Sequence, residues 1–159
     1  MLHYDFEESI GYWLTLTTQA YHRRFNDELA PHGVTYRQSQ VLGWLALDGE
    51  QSQAELAAKM MVEPPTLAGI LDRMEKAGWI TRNACQTDRR RKLIRTTDKA
   101  KPAWEKIVQC ARQVRHEATR GLSPEQLRLL REVLAQIREN IAATPAETAT
   151  AQDCIATTV

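Results

Sequence analysis

Gln86-Thr87-Asp88-Arg89-Arg90-Arg91-Lys92 contains the densest charge cluster of the 159-residue chain. On either side, Ile80-Thr81-Arg82-Asn83-Ala84-Cys85 and Leu93-Ile94-Arg95-Thr96-Thr97 carry β-branched residues in partial alternation, which predicts two short antiparallel strands joined at Gln86-Thr87-Asp88. The cations then sit at a hairpin tip. Upstream, Pro64 to Ala77 places Leu67, Ile70, Leu71 and Met74 three and four residues apart, the spacing of one apolar helix face, with Thr66, Gly69 and Arg73 nearer the other.

Two more helices are predicted just before it. Thr35 with Gln38 forms a capping box ahead of Val41, Leu42 and Leu45, and the helix stops at Asp48-Gly49. Ser52 with Glu55 forms a second box at the head of Gln53 to Met60. Met61-Val62-Glu63 is then a turn, and Pro64 suits a first helical position because its missing N–H would have had no intrahelical partner. Two helices separated by such a turn and followed by a basic hairpin have the order of a winged helix-turn-helix. In that fold one helix enters a major groove while the hairpin reaches the backbone or the adjacent minor groove.

Long helices flank this unit. Phe6, Ile10, Trp13, Leu14, Thr17, Tyr21, Phe25 and Leu29 predict one helix over Asp5 to Ala30. Ala100, Trp104, Ile107, Val108, Ala111, Val114 and Ala118 predict another over Asp98 to Arg120, ended by Gly121. Ser123-Pro124-Glu125-Gln126 starts a third, which continues through Leu127, Leu130, Val133, Leu134, Ile137 and Ile141. These stripes exceed what a winged domain needs for its own core, so residues 1–30 and 98–143 are expected to form a helical dimerisation region of a homodimer, around a DNA-binding region at 34–97. The expected fold is mainly α with a small β-hairpin wing. Residues 144–159 turn to Ala, Thr and Pro without one Lys or Arg, which predicts a disordered tail.

Composition narrows the function. The net charge of +1 makes any nucleic-acid field a local one. Between Trp79 and Lys101 it is local, with Arg82, Arg89, Arg90, Arg91, Lys92, Arg95, Lys99 and Lys101 set against Asp88 and Asp98. Cys85, Cys110 and Cys154 lack any C-x-x-C spacing, and His3, His22, His32 and His116 make no ligand spacing with them, so neither a disulfide framework nor a metal is expected. The beginning of the chain is acidic and no apolar run approaches the ~18 residues of a membrane span, so a cytoplasmic protein without membrane partners is expected. No Gly-rich phosphate loop, H-E-x-x-H or G-x-S-x-G is present, which argues against an enzyme and gives no cofactor.

Gln53-Ala54-Glu55-Leu56-Ala57, the run from Leu71 to Arg82, and Asp88-Arg89-Arg90 followed by Leu93 and Thr96-Thr97 resemble, in order and spacing, the MarR family of bacterial transcriptional regulators, with the greatest likeness to its SlyA-like branch. The similarity spans about Gly11 to Ile141. It implies a winged-helix homodimer, joined through its N- and C-terminal helices, that binds a pseudo-palindromic operator as a repressor or anti-silencer. Arg90 matches the Arg of the family's Asp-x-Arg wing motif, which reaches the minor groove with Asp88 orienting it.

Other residues are candidates on chemistry. Arg89, Arg91 and Lys92 suit phosphates; Thr66 can meet a phosphate or base edge, Pro65 a thymine methyl, and Arg73 a phosphate, a base or an intramolecular partner. Ser52 and Gln53 open a helix whose backbone N–H groups face phosphate in this kind of fold, although capping alone explains Ser52. The resemblance also implies a small aromatic carboxylate or phenolic effector, with Tyr12, Trp13, Tyr36, Ser39 and Trp44 as candidate pocket residues and core or interface filling as the alternative role of the aromatics. Cys85, beside cations, is a candidate redox thiol, with a structural role as its alternative. A winged-helix protein-interaction module without specific DNA binding stays open as the competing function.

Overall fold

A computed structural model describes residues 4–84 and 92–143. The elements run α1 (Ile10–Leu29), α2 (Tyr36–Asp48), β1 (Gln51–Ser52), α3 (Gln53–Met60), α4 (Pro64–Lys76), β2 (Ile80–Ala84), β3 (Lys92–Thr96), α5 (Lys101–Ala118) and α6 (Pro124–Ala143). Single 3-10 turns cover Ala30–His32 and Asp98–Ala100. The chain divides into two compact units, Met1–Ala118 and Thr119–Val159. The predicted tail, Cys85 and the hairpin tip with Asp88, Arg89, Arg90 and Arg91 lie outside the described residues.

Both predicted capping boxes form. Thr35 accepts from the Gln38 backbone while the Gln38 side chain takes the Thr35 N–H, and Ser52 and Glu55 repeat the exchange. Such a cap is worth about 1 kcal/mol. Met61 closes α3 in a left-handed conformation, φ 48°, with its side chain 89% exposed. Pro64 starts α4 as expected. At its other end the Trp79 N–H reaches Met74 O and the Gly78 N–H reaches Glu75 O, a paired closure that needs the positive φ of Gly78 and turns the chain into β2.

Three expectations need correction. The first helix begins at Ile10, not Asp5, because Ser9 caps it by accepting from the Tyr12 N–H. The helix after the wing begins at Lys101, preceded by the 3-10 turn, since Pro102 fits only a first turn. The sheet has three strands in the order β1-β3-β2, all antiparallel, with Gln51 opposite Ile94 and Ile80 opposite Thr96. Two residues are too few to show alternation, so β1 left no trace in the sequence.

The core sits where α2, α3, α4 and the sheet converge. Leu42, Leu56, Leu67, Leu71, Met74, Ile80 and Ile94 are fully buried there, each contributing roughly 1.5–3 kcal/mol. On the far side α1 packs along α5, tied by Arg24, which gives two hydrogen bonds to Glu117 at 2.7 and 3.0 Å and pairs with Glu28 at 2.6 Å. Those carboxylates raise the guanidinium pKa further above its ordinary value. In the second unit, α6 buries none of its residues. Leu127, Leu130, Leu134, Ile137 and Ile141 follow one another at alternating three- and four-residue steps, a seam of the kind that packs against another helix.

Candidate nucleic-acid interface

Helix α4 turns Leu67, Ile70, Leu71 and Met74 into the core, which leaves Pro65, Gly69 and Lys76 along its outward crest. The two flanks of that crest differ. On one, Arg82 reaches across from β2, donating to Asp72 Oδ1 at 2.5 Å and Ala68 O at 3.4 Å, with Glu75 3.6 Å from its Nε. That side chain is only 18% exposed. On the other flank stand Thr66 and Arg73, both exposed. The Arg73 guanidinium lies back toward the N-terminus, with Nη1 3.8 Å from where a Cβ on Gly69 would stand. A glycine inside a helix costs about 0.5–1 kcal/mol relative to alanine, yet among the described residues, the helix's own backbone aside, no other neighbour lies within 4 Å of that position.

Among the described residues, the DNA-contact candidates fall into three groups. Pro65, Thr66 and Arg73 share the exposed part of α4, and Lys92 is exposed at the start of β3. Gln53 is half-buried, its amide 3.4 Å from Pro64 O, which pins the head of α3 to the head of α4. Ser52 is buried: its backbone lies in β1 and its hydroxyl is engaged with Glu55. The structure adds Lys76 and the Arg82 brace. The signal for the brace was present in Asp72 and Glu75, three residues apart on one helix face opposite a strand cation.

Of the five pocket candidates, Tyr12 meets Trp13 and Tyr36 meets Ser39. Tyr12 and Trp13 stack edge to face at 5.5 Å on exposed α1, where the Trp13 indole donates to Glu7 O. Tyr36 pairs with His22 across α1 and α2, its hydroxyl 2.5 Å from Nε2. Ser39 is buried and donates to Tyr36 O, and Trp44 packs on the core beneath Lys59. A cleft of about 450 Å³ lies elsewhere, between α2 and the start of α5, where Leu42, Thr97, Lys101 and Trp104 are among its walls.

Residues 32–91, the segment holding α2 to the wing, match the MarR family description. Among solved structures, the transcriptional regulator PA3341 is 32% identical, with a TM-score of 0.77 over 86% of this chain and 100% of its own. A probable transcriptional regulator from Pseudomonas aeruginosa is 28% identical, with a TM-score of 0.69 over 84% of this chain and 99% of its own. A mutant MarR from E. coli complexed with operator DNA shares the fold at 24% identity and a TM-score of 0.71, over 80% of this chain and 92% of its own. With the helix pair, the braced sheet and these likenesses in place, the chain belongs to the MarR family of transcriptional regulators.

Proposed function

We propose that two copies of this chain form a regulator that binds a pseudo-palindromic operator, each lodging α4 in a major groove while its wing reaches the adjacent minor groove. The reading rests chiefly on the α4 crest, an outward helix surface carrying Pro65, Thr66, Gly69, Arg73 and Lys76 beside a cationic hairpin sequence. A mutant MarR from E. coli that shares this fold forms a complex with operator DNA. Homodimerisation is supported by the α6 seam, of which Leu130, Leu134 and Ile141 are exposed. In such a dimer the two recognition helices lie ~34 Å apart, one turn of the duplex. Occupying the operator makes the protein a repressor or anti-silencer, and a SlyA-like placement within the family accords with the wing sequence.

The deciding experiment is selection of genomic duplexes by the purified protein, followed by titration of the selected site over a range of salt. A recurring two-fold motif is expected, with log affinity falling steeply against log salt as lysines and arginines displace counterions. Retention of no sequence above background would defeat the proposal and favour the protein-interaction module.

Release by a small aromatic carboxylate or phenol belongs to the same proposal. The cleft beside Trp104 supports it, offering an aromatic wall and the Lys101 ammonium. Such an effector must bind the DNA-competent and incompetent forms unequally. Salicylate titrated into the operator complex should lower its affinity, and an unmoved binding curve would remove this part.

A further inference from the structure

We infer that Arg73, laid back across Gly69, reads a guanine in each operator half-site, and that Gly69 lets the DNA approach the axis of α4. This rests on the DNA-binding reading above and extends it by assigning the residue that reads the base.

Long helical side chains lean toward the N-terminus, so a residue covers the position four before it. Arg73 follows that rule and lays its guanidinium over Gly69. Among the described residues no carboxylate pairs with it, because its acidic neighbours on the helix, Asp72 and Glu75, face Arg82 on the opposite flank. Its five donors are therefore uncommitted within the described protein. Among the described residues nothing in the protein's own packing requires glycine at Gly69. Its φ is not positive, and among the described residues beyond the helix's own backbone a Cβ there would meet only the tip of Arg73, at an ordinary contact distance. A helical glycine that the protein's own packing does not require marks a surface something else approaches.

The chemistry of that approach is specific. With Pro65 and Gly69 on the crest, little side-chain bulk stands between the helix backbone and the groove floor. The planar guanidinium, delivered at the middle of the helix, matches the paired O6 and N7 acceptors of guanine, which no other base presents on its major-groove edge. An ammonium at the same place could supply charge but not the fork.

The test uses the full chain, as wild type, Arg73→Ala, Arg73→Lys and Gly69→Ala, each selecting from a random duplex pool. Affinities are then measured for the wild-type site and for copies carrying 7-deazaguanine at one guanine at a time. One guanine per half-site should be fixed by the wild type and lost by both Arg73 variants. Its 7-deaza form should weaken wild-type binding about 10- to 100-fold and leave Arg73→Ala unaffected. Gly69→Ala should raise Tm by roughly 2–4 °C while weakening operator binding at least about tenfold, which separates a contact surface from a folding defect. Arg73→Ala that weakens operator and random duplex alike would make Arg73 a phosphate contact and overturn the inference. Operator binding by Gly69→Ala at wild-type strength would overturn the close approach. A wild type that selects no sequence defeats the DNA-binding reading and this inference together, whereas an unchanged motif in Arg73→Ala defeats the inference alone.

Discussion

Arg82 donates to Asp72 at 2.5 Å, so the first strand of the wing is bolted to the middle of α4. Because the arginine is mostly covered while Asp72 is half-exposed, truncating the arginine removes more than truncating its partner. Arg82→Ala should cost about 1–2 kcal/mol of unfolding free energy and Asp72→Asn less than about 1 kcal/mol. Urea titrations of the two variants would measure this. Equal, negligible losses would mean that the wing and helix are held together by Ile80 and Ile94 alone.

Burial pushes the Tyr36 phenol above its ordinary value of 10.0. The fold thus favours the neutral ring, and that contribution is fully present below about pH 10 and is lost as pH rises through the raised folded value. The Cys110 thiol, also pushed up by burial from 9.0, adds an alkaline loss beginning somewhat lower. Tyr36→Phe should lower stability near neutrality by about 1 kcal/mol, through the lost His22 partner, and flatten the decline above about pH 10. Tm measured from pH 8 to 11 would show it. A decline of unchanged steepness would assign the alkaline limb to other groups.

The α6 seam makes a different kind of claim, about assembly. A charge at Leu130 or Leu134, exposed at 48% and 40% in the single chain, would cost little in an isolated helix but several kcal/mol inside a helix–helix interface. Leu134→Glu is expected to sediment as a monomer at micromolar concentration and to lose operator affinity with it. A dimer that survives both substitutions would place the interface elsewhere.

Arg90 carries the wing's expected minor-groove contact. Arg90→Ala should weaken operator binding by about 1–3 kcal/mol, and a lost phosphate neutralisation would lower the salt slope by about one unit. Affinity equal to wild type would show that the hairpin tip is not used.

Most of this architecture was legible because its signals are local. Thr35 with Gln38, Ser52 with Glu55, and Pro64 each fix a helix start through contacts within three residues, and all three appear where expected. The strands flanking the wing also lie where alternation put them, to within a residue. Illegible features depend on partners distant in sequence. Strand β1 exists because Gln51 meets Ile94, and its two residues carry no period of their own. Arg82 is engaged by Asp72 and Glu75 from α4, a pairing set by how the helix lies on the sheet. For the interface, exposure on α4 followed from the apolar spacing. The placement of the Arg73 guanidinium beside Gly69 needed the side-chain direction as well.

The two prolines that open α4 carry a final consequence. A helix start ordinarily offers four unpaired amide hydrogens as a cradle for anions, but Pro64 and Pro65 contribute none, leaving those of Glu63 and Thr66. The leading tip of this helix is therefore a poor phosphate receptor and a good apolar wedge, already rigid before it meets a duplex. Grip on the sugar-phosphate rails has to come from side chains set further back.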